Sequence, residues 1–176
     1  MDPRGFVTDS LGTAARWDEP MQIALREAQL AGERGEIPIG AVVLDSQGQV
    51  LAAAGNSRER DCDPTAHAEV LALRRAASQL GDWRLSDCTL VVTVEPCPMC
   101  AGAAVLARVK TLVFGAWNEE YGASGSRWDL VRDPRLNHSV EVISGVRADE
   151  GAALVRDFMA RQRAASNNDD AYSGGK

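Results

Sequence analysis

The run Thr89-Leu90-Val91-Val92-Thr93-Val94-Glu95-Pro96-Cys97-Pro98-Met99-Cys100 joins a strand to a helix start with almost no loop between them. Its first six residues are apolar or β-branched without polar alternation, the pattern of a strand covered on both faces. Pro98 suits the first position of a helix, where its missing N–H has no intrahelical partner to lose. A helix is therefore expected from Pro98 to about Arg108. It is rich in Ala101, Gly102, Ala103 and Ala104, small residues that let another element approach closely. A buried strand feeding a helix implies parallel pairing with right-handed crossovers.

Further strands are expected at Ala41 to Leu44, Val50 to Ala53, Thr111 to Phe114 and Val140 to Ile143. The first two flank Asp45-Ser46-Gln47-Gly48-Gln49 and read as an antiparallel edge hairpin. A first helix is expected from Pro20, with Met21, Ala24, Leu25 and Ala28 at i, i+3, i+4 and i+7 and an end at Gly32 and Gly35. A second begins at Ala66 behind Thr65 as N-cap and carries Val70, Leu73 and Ala77 to a stop at Gly81. A last helix carries Leu154, Val155, Phe158 and Met159, and Asn56 to Pro64 reads as irregular. The fold class is α/β, a three-layer α/β/α sandwich around a mixed five-stranded sheet.

The 176 residues make one domain of ordinary size, able to close a core without disulfide staples. The net charge of −6 argues against a general nucleic-acid binder, although a local basic face remains compatible with it. The four cysteines are too sparse for a disulfide framework. No secretory signal or membrane-length apolar run is seen, so a reducing cytoplasm is the expected setting.

Cys97 and Cys100 have the Cys-x-x-Cys spacing that lets two thiolates reach one zinc ion from a tight turn. The positive end of a helix dipole at that point favours thiolates. His67 lies at another expected helix start, and two such starts can converge at the end of a parallel sheet. Three protein ligands leave a fourth position for water, the mark of a catalytic zinc. Glu69 sits two residues from His67, about 200° around a helix, so it would address that water and not the metal. Read singly, Cys-x-x-Cys could be a redox pair, His67 a buried structural histidine and Glu69 an exposed first-turn glutamate. The combination favours the metal reading.

His67-Ala68-Glu69 followed by Pro96-Cys97-Pro98-Met99-Cys100 is similar to the H-x-E…P-C-x-x-C signature of the zinc base deaminases. From about Met21 to Arg163 the chain resembles the bacterial tRNA-specific adenosine deaminase family of the cytidine/deoxycytidylate deaminase superfamily. The likeness extends through Glu36-Ile37-Pro38-Ile39-Gly40-Ala41-Val42, Asn56, Asp63-Pro64-Thr65-Ala66, Val113-Phe114-Gly115-Ala116, Gly122-Ala123-Ser124-Gly125-Ser126 and Leu136-Asn137-His138. The resemblance implies one Zn2+ per subunit on His67, Cys97 and Cys100, with Glu69 as proton shuttle. It implies that Asn56 and the backbone near Ala68 contact the nucleoside, between apolar walls from Ile37 and Val94. It also implies a homodimer acting on a tRNA anticodon stem-loop, converting the wobble adenosine to inosine. A single domain is expected over 16–164, between a flexible segment 1–15 without clear periodicity and a disordered tail 165–176 of Ser, Asn, Asp and Gly.

One loop departs from the family, which usually follows Phe114-Gly115-Ala116 with a basic residue and an aspartate. Here stand Trp117 and Asn118, then Glu119 and Glu120. Trp117 could stack on a base or anchor the loop on the core. Trp117, Asn118, Arg161 and Arg163 are the candidate RNA contacts, with solvated helix arginines the alternative for the last two. His138 reads as structural or RNA-contacting, and Phe158 as core or a border of the substrate site. Two other functions compete: a deaminase of free guanine or cytosine, and a non-catalytic module with zinc completed by Cys62 or Cys88.

Overall fold

Alternation along the central strands sends buried side chains to two faces of one sheet. Leu90, Val92, Leu112 and Phe114 point to one face, and Val91, Val113 and Ile143 to the other. The computed structural model describes residues 7–8 and 14–173, with side chains for 15–165. Helix α1 (Ala14–Glu33) is followed by strands β2 (Gly40–Leu44) and β3 (Val50–Gly55), after the two-residue strand β1 (Val7–Thr8). Then come α2 (Arg58–Asp61), α3 (Ala68–Leu80), β4 (Thr89–Val94), α4 (Pro98–Leu106), β5 (Thr111–Ala116), β6 (Glu141–Ser144) and α5 (Ala148–Ser173). The sheet order is β1-β6-β5-β4-β2-β3.

Strands β4, β5 and β6 run parallel, and β2 pairs antiparallel with both β3 and β4. The expected five strands and their mixed pairing are present, and β1 adds a short parallel edge along Ile143 and Ser144. Helices α3 and α4 bury residues in the cluster on one face, and α1 in the cluster on the other, which gives the three layers. The α1 layer lies very close: a Cβ on Gly40 would run into the backbone of Ala24 and Ala28. No helix among the described residues is long and apolar enough to cross a membrane.

Several boundaries differ from those expected. Helix α1 starts six residues before Pro20, which lies inside it. Trp17 is buried and extends the apolar stripe of Met21, Ala24, Leu25, Ala28 and Ala31, so packing outweighs the one hydrogen bond that Pro20 cannot give. Helix α5 continues to Ser173, across the boundary placed at 164 on composition. Alanine, glutamine and arginine after Phe158 propagate a helix without needing burial. Residues 1–6 and 9–13 of the expected flexible segment, and 174–176 of the expected tail, lie outside the described residues.

Phe114 is fully buried at the centre of β5. Phe114→Ala should lower the unfolding free energy by about 3–5 kcal/mol, the cost of an aromatic-sized cavity, read from the urea midpoint at unchanged slope.

Candidate active site

Two helix starts meet above the carboxyl end of β4. His67 is the N-cap residue of α3 and Cys97 that of α4, both with extended backbone (φ −74°, ψ 149° and φ −71°, ψ 171°). Neither side chain caps its own helix. Each is therefore free to point at the common site.

The segment before α3 is held by hydrogen bonds from its neighbours. Asp63 Oδ1 accepts the Thr65 N–H and hydroxyl, both at 2.7 Å. The Ser57 N–H donates to the Ala66 carbonyl at 3.0 Å. Asn56 Oδ1, at the end of β3, accepts the Ala68 N–H at 2.9 Å. That bond supplies the helix cap expected of Thr65. The helix also starts two residues later than expected, because His67 and its predecessors are drawn into this turn.

The donor atoms form a small triangle. Cys97 Sγ and Cys100 Sγ are 3.7 Å apart, and His67 Nδ1 lies 3.7 Å from the first and 3.5 Å from the second. Tetrahedral zinc with ordinary bond lengths requires about 3.8 Å between two sulfurs and about 3.6 Å between sulfur and nitrogen. These residues fit zinc, and the triangle leaves one corner of a tetrahedron open. Among the described residues they are the only His, Cys, Asp or Glu group so gathered. The charges agree. The hydrogen bond from Cys100 and the nearby His67 draw the Cys97 thiol down to about 4. The same contact with Cys97, together with burial, pushes Cys100 well up. Zinc takes both sulfurs as thiolates, so binding it would release their protons.

Glu69 lies in the first turn of α3 and is 3% exposed, which rules out the surface reading. Burial raises its carboxyl above the usual carboxylate range. Its Oε2 is buried without a hydrogen-bond partner. The carboxyl lies against the Cys100 thiol, beside the triangle. The other two cysteines lie elsewhere. Cys62 is exposed, and Cys88 is buried just before the amino end of β4, about 20 Å of extended chain from Val94. Neither joins the donor group.

The remaining candidates divide. Ile37 and Asn56 line a cavity of about 270 Å³, bordered also by Phe158; Asn56 links it to the start of α3 through its hydrogen bond with Ala68. Val94 is buried at the end of β4. The Ala68 N–H is spent on Asn56. Trp117 packs edge-on against Phe114 at 4.7 Å and is half-buried, so its ring anchors the loop. Asn118 Oδ1 accepts the Tyr121 N–H at 3.1 Å and closes a turn. Arg161 and Arg163 are exposed on α5, and Arg161 borders a second cavity of about 350 Å³ with Glu33 and Leu154. His138 Nε2 donates to the Val109 carbonyl at 2.7 Å, a structural tie.

Sequence reasoning gave no role to Glu95, which is 2% exposed. Its Oε1 accepts the Ser124 and Ser126 N–H groups at 2.9 and 3.0 Å, and its Oε2 accepts the Asn118 N–H at 3.0 Å. One carboxylate thus ties the whole 118–126 loop to the residue two before Cys97. A side chain on Gly122 would overlap the Glu95 carboxylate and the Ser126 hydroxyl. A signal existed: a carboxylate between a buried strand and proline needs donors from somewhere. Glu95→Ala and Gly122→Ala should each cost on the order of 3 kcal/mol of stability and speed amide exchange at 118–126. Unchanged exchange there would refute the tie.

With this geometry in hand, comparison with known proteins is direct. The family model for the cytidine and deoxycytidylate deaminase zinc-binding region matches residues 16–116. The tRNA-specific adenosine deaminase of Bacillus subtilis is 45% identical over 152 residues, 84% of this chain and 94% of the relative. A solved structure from a study of A-to-I editing by tRNA:A34 deaminases superposes with a TM-score of 0.75 at 42% identity, covering 77% of this chain and 98% of that one. A guanine deaminase from Nitrosomonas europaea superposes with a TM-score of 0.71 at 26% identity, covering 81% and 84%. The chain belongs to the zinc-binding cytidine and deoxycytidylate deaminase family.

Proposed function

We propose that this protein hydrolyses the wobble adenosine of a tRNA anticodon to inosine. The observation that carries the deaminase reading is Glu69, a buried carboxylate with an unpartnered oxygen set against a zinc-shaped donor triangle. The tRNA substrate rests on relatives of that name matched over nearly their whole length. The domain responsible is taken as 16–164, with 1–15 and 165–176 as appendages.

His67, Cys97 and Cys100 would hold the metal through Nδ1 and two sulfurs. Zinc supplies Lewis acidity that makes water nucleophilic near neutral pH. Glu69 Oε2 takes the proton that the attacking water loses and gives it to adenine N1. The water oxygen joins C6; Glu69 then takes the second proton from that oxygen and gives it to the N6 amine, so that the C6–N6 bond breaks, ammonia leaves and the C6 carbonyl forms. Asn56 donates to substrate through its side-chain amide N–H, while its carbonyl oxygen holds the Ala68 N–H. Ile37 and Val94 flank the flipped base, and the main chain around Ala68 faces it. A nucleotide in a single-stranded loop suits such a site, since C6 is inaccessible in a stacked helix.

The homodimer is part of the same reading. Met99 and Leu106 lie seven residues apart on the outward face of α4 and are 36% and 67% exposed, with the small Gly102 and Ala103 between them. Tyr121 and Trp128 add exposed aromatic surface on the neighbouring loop. Arg161 and Arg163 on α5 are free to meet phosphates. A cytoplasmic setting accords with four free cysteines.

Glu69→Gln should retain one zinc per chain by elemental analysis yet lose turnover by about 10²–10⁴-fold, the weight of a general acid–base. Full turnover in that variant would remove Glu69 from the mechanism. Incubation with an anticodon stem-loop should yield inosine by nucleoside analysis. Ammonia release from free guanine with an inert stem-loop would favour the free-base alternative. Leu106→Asp should shift the light-scattering mass from dimer to monomer.

A further inference from the structure

The cavity lined by Ile37 and Asn56 holds a guanidinium N–H that the described residues leave without an acceptor. Its lining includes Ile37 and Asn56 from one side, Arg58 and Glu59 from α2, and Phe158 and Gln162 from α5. Arg58 Nε is buried and has no hydrogen-bond partner. Burying a guanidinium N–H without an acceptor is costly, so this arrangement calls for a ligand that brings one.

The surrounding charges explain why Arg58 is spare. Its neighbour Arg60 is paired with Asp61 at 2.8 Å, and its own N–H is held by the buried Glu36 carboxylate at 3.0 Å. Arg74 faces Asp63 at 3.7 Å, and Arg75 donates to the Ala53 carbonyl. Among the described residues no carboxylate forms an ion pair with Arg58. Glu59 stands on the same rim but is exposed to solvent. Glu36 and Asp63 hold α2 through the Arg60 N–H and the turn at Thr65, so Arg58 projects from a fixed mount.

A guanidinium presents several N–H groups in a fixed plane, which suits phosphate oxygens. Asn56 both lines this cavity and holds the start of α3, so a nucleotide with its base at the donor triangle and its sugar at Asn56 would bring an adjoining phosphodiester to Arg58. We infer that Arg58 is a substrate-anchoring residue whose guanidinium binds a phosphodiester oxygen adjoining the flipped nucleotide. The inference rests on the proposed RNA substrate. A free base carries no phosphate and would leave Arg58 unsatisfied.

The test measures affinity for an anticodon stem-loop across a salt series, using wild type, Arg58→Gln and Arg58→Lys, all zinc-loaded. Loss of one phosphate contact predicts about tenfold weaker binding for Arg58→Gln and a log–log salt slope smaller by about one. Arg58→Lys should keep the slope and recover part of the affinity. In wild type, a neutral methylphosphonate at one linkage flanking the target adenosine should reproduce the loss, and the same substitution should add nothing in Arg58→Gln. Wild-type affinity and slope in Arg58→Gln would overturn the inference. So would weaker binding at an unchanged slope, which would move the contact to a base edge. The methylphosphonate series needs no variant and decides the matter if Arg58→Gln does not fold. Stem-loop deamination by wild type without any Arg58 effect sinks this inference alone, whereas an inert stem-loop sinks the substrate reading first.

Discussion

Three soft donors must reach one point from two places in the chain, separated by a strand and a helix. The geometry is set by two N-cap residues, His67 and Cys97, whose extended backbones leave their side chains outside the helices they begin. Strand β4 carries Cys97 to the carboxyl end of the parallel strands. The Asn56 hydrogen bond carries the start of α3 to the same end. The remainder of the fold serves to keep these two starts a few ångströms apart. Helices α3 and α4 pack on one apolar face, and α1 seals the other. Positive helix ends then face the thiolates, so backbone dipoles and ligand charges favour the same state.

The central strands β2, β4 and β5 were legible because they are fully covered. Thr89 to Val94 offers no polar position to compete with burial, and its bounds match those observed. The helix boundaries were less legible, because their causes lie far along the chain. Nothing local shows that Trp17 is buried, or that Asn56 supplies the cap for a helix twelve residues later. The donor set could be read from spacing and residue chemistry. The burial of Glu69 could not: a glutamate in a first helical turn carries the same letters whether it faces solvent or a metal.

The loop after β5 shows the opposite limit. Trp117 and Asn118 drew notice as departures from the family, yet both serve the loop itself, one through Phe114 and one through the Tyr121 N–H. The residue that organises this segment is Glu95, more than twenty positions earlier. Long-range hydrogen bonds to main chain leave little trace in a single sequence, because the acceptor carries the information and the donors can be almost any residue.

That last asymmetry has an evolutionary consequence. Glu95 grips the 118–126 segment by its amide groups, and amides are common to all residues but proline. The exposed side chains at the tip of this segment, Glu119, Glu120 and Tyr121, can therefore change while the backbone path and the neighbouring cysteines stay in place. Gly122 is the fixed point, since only it admits the carboxylate. The architecture separates a part that must be inherited intact from a part that can drift. A lineage built this way can explore new partners at the loop without first relearning how to hold its metal.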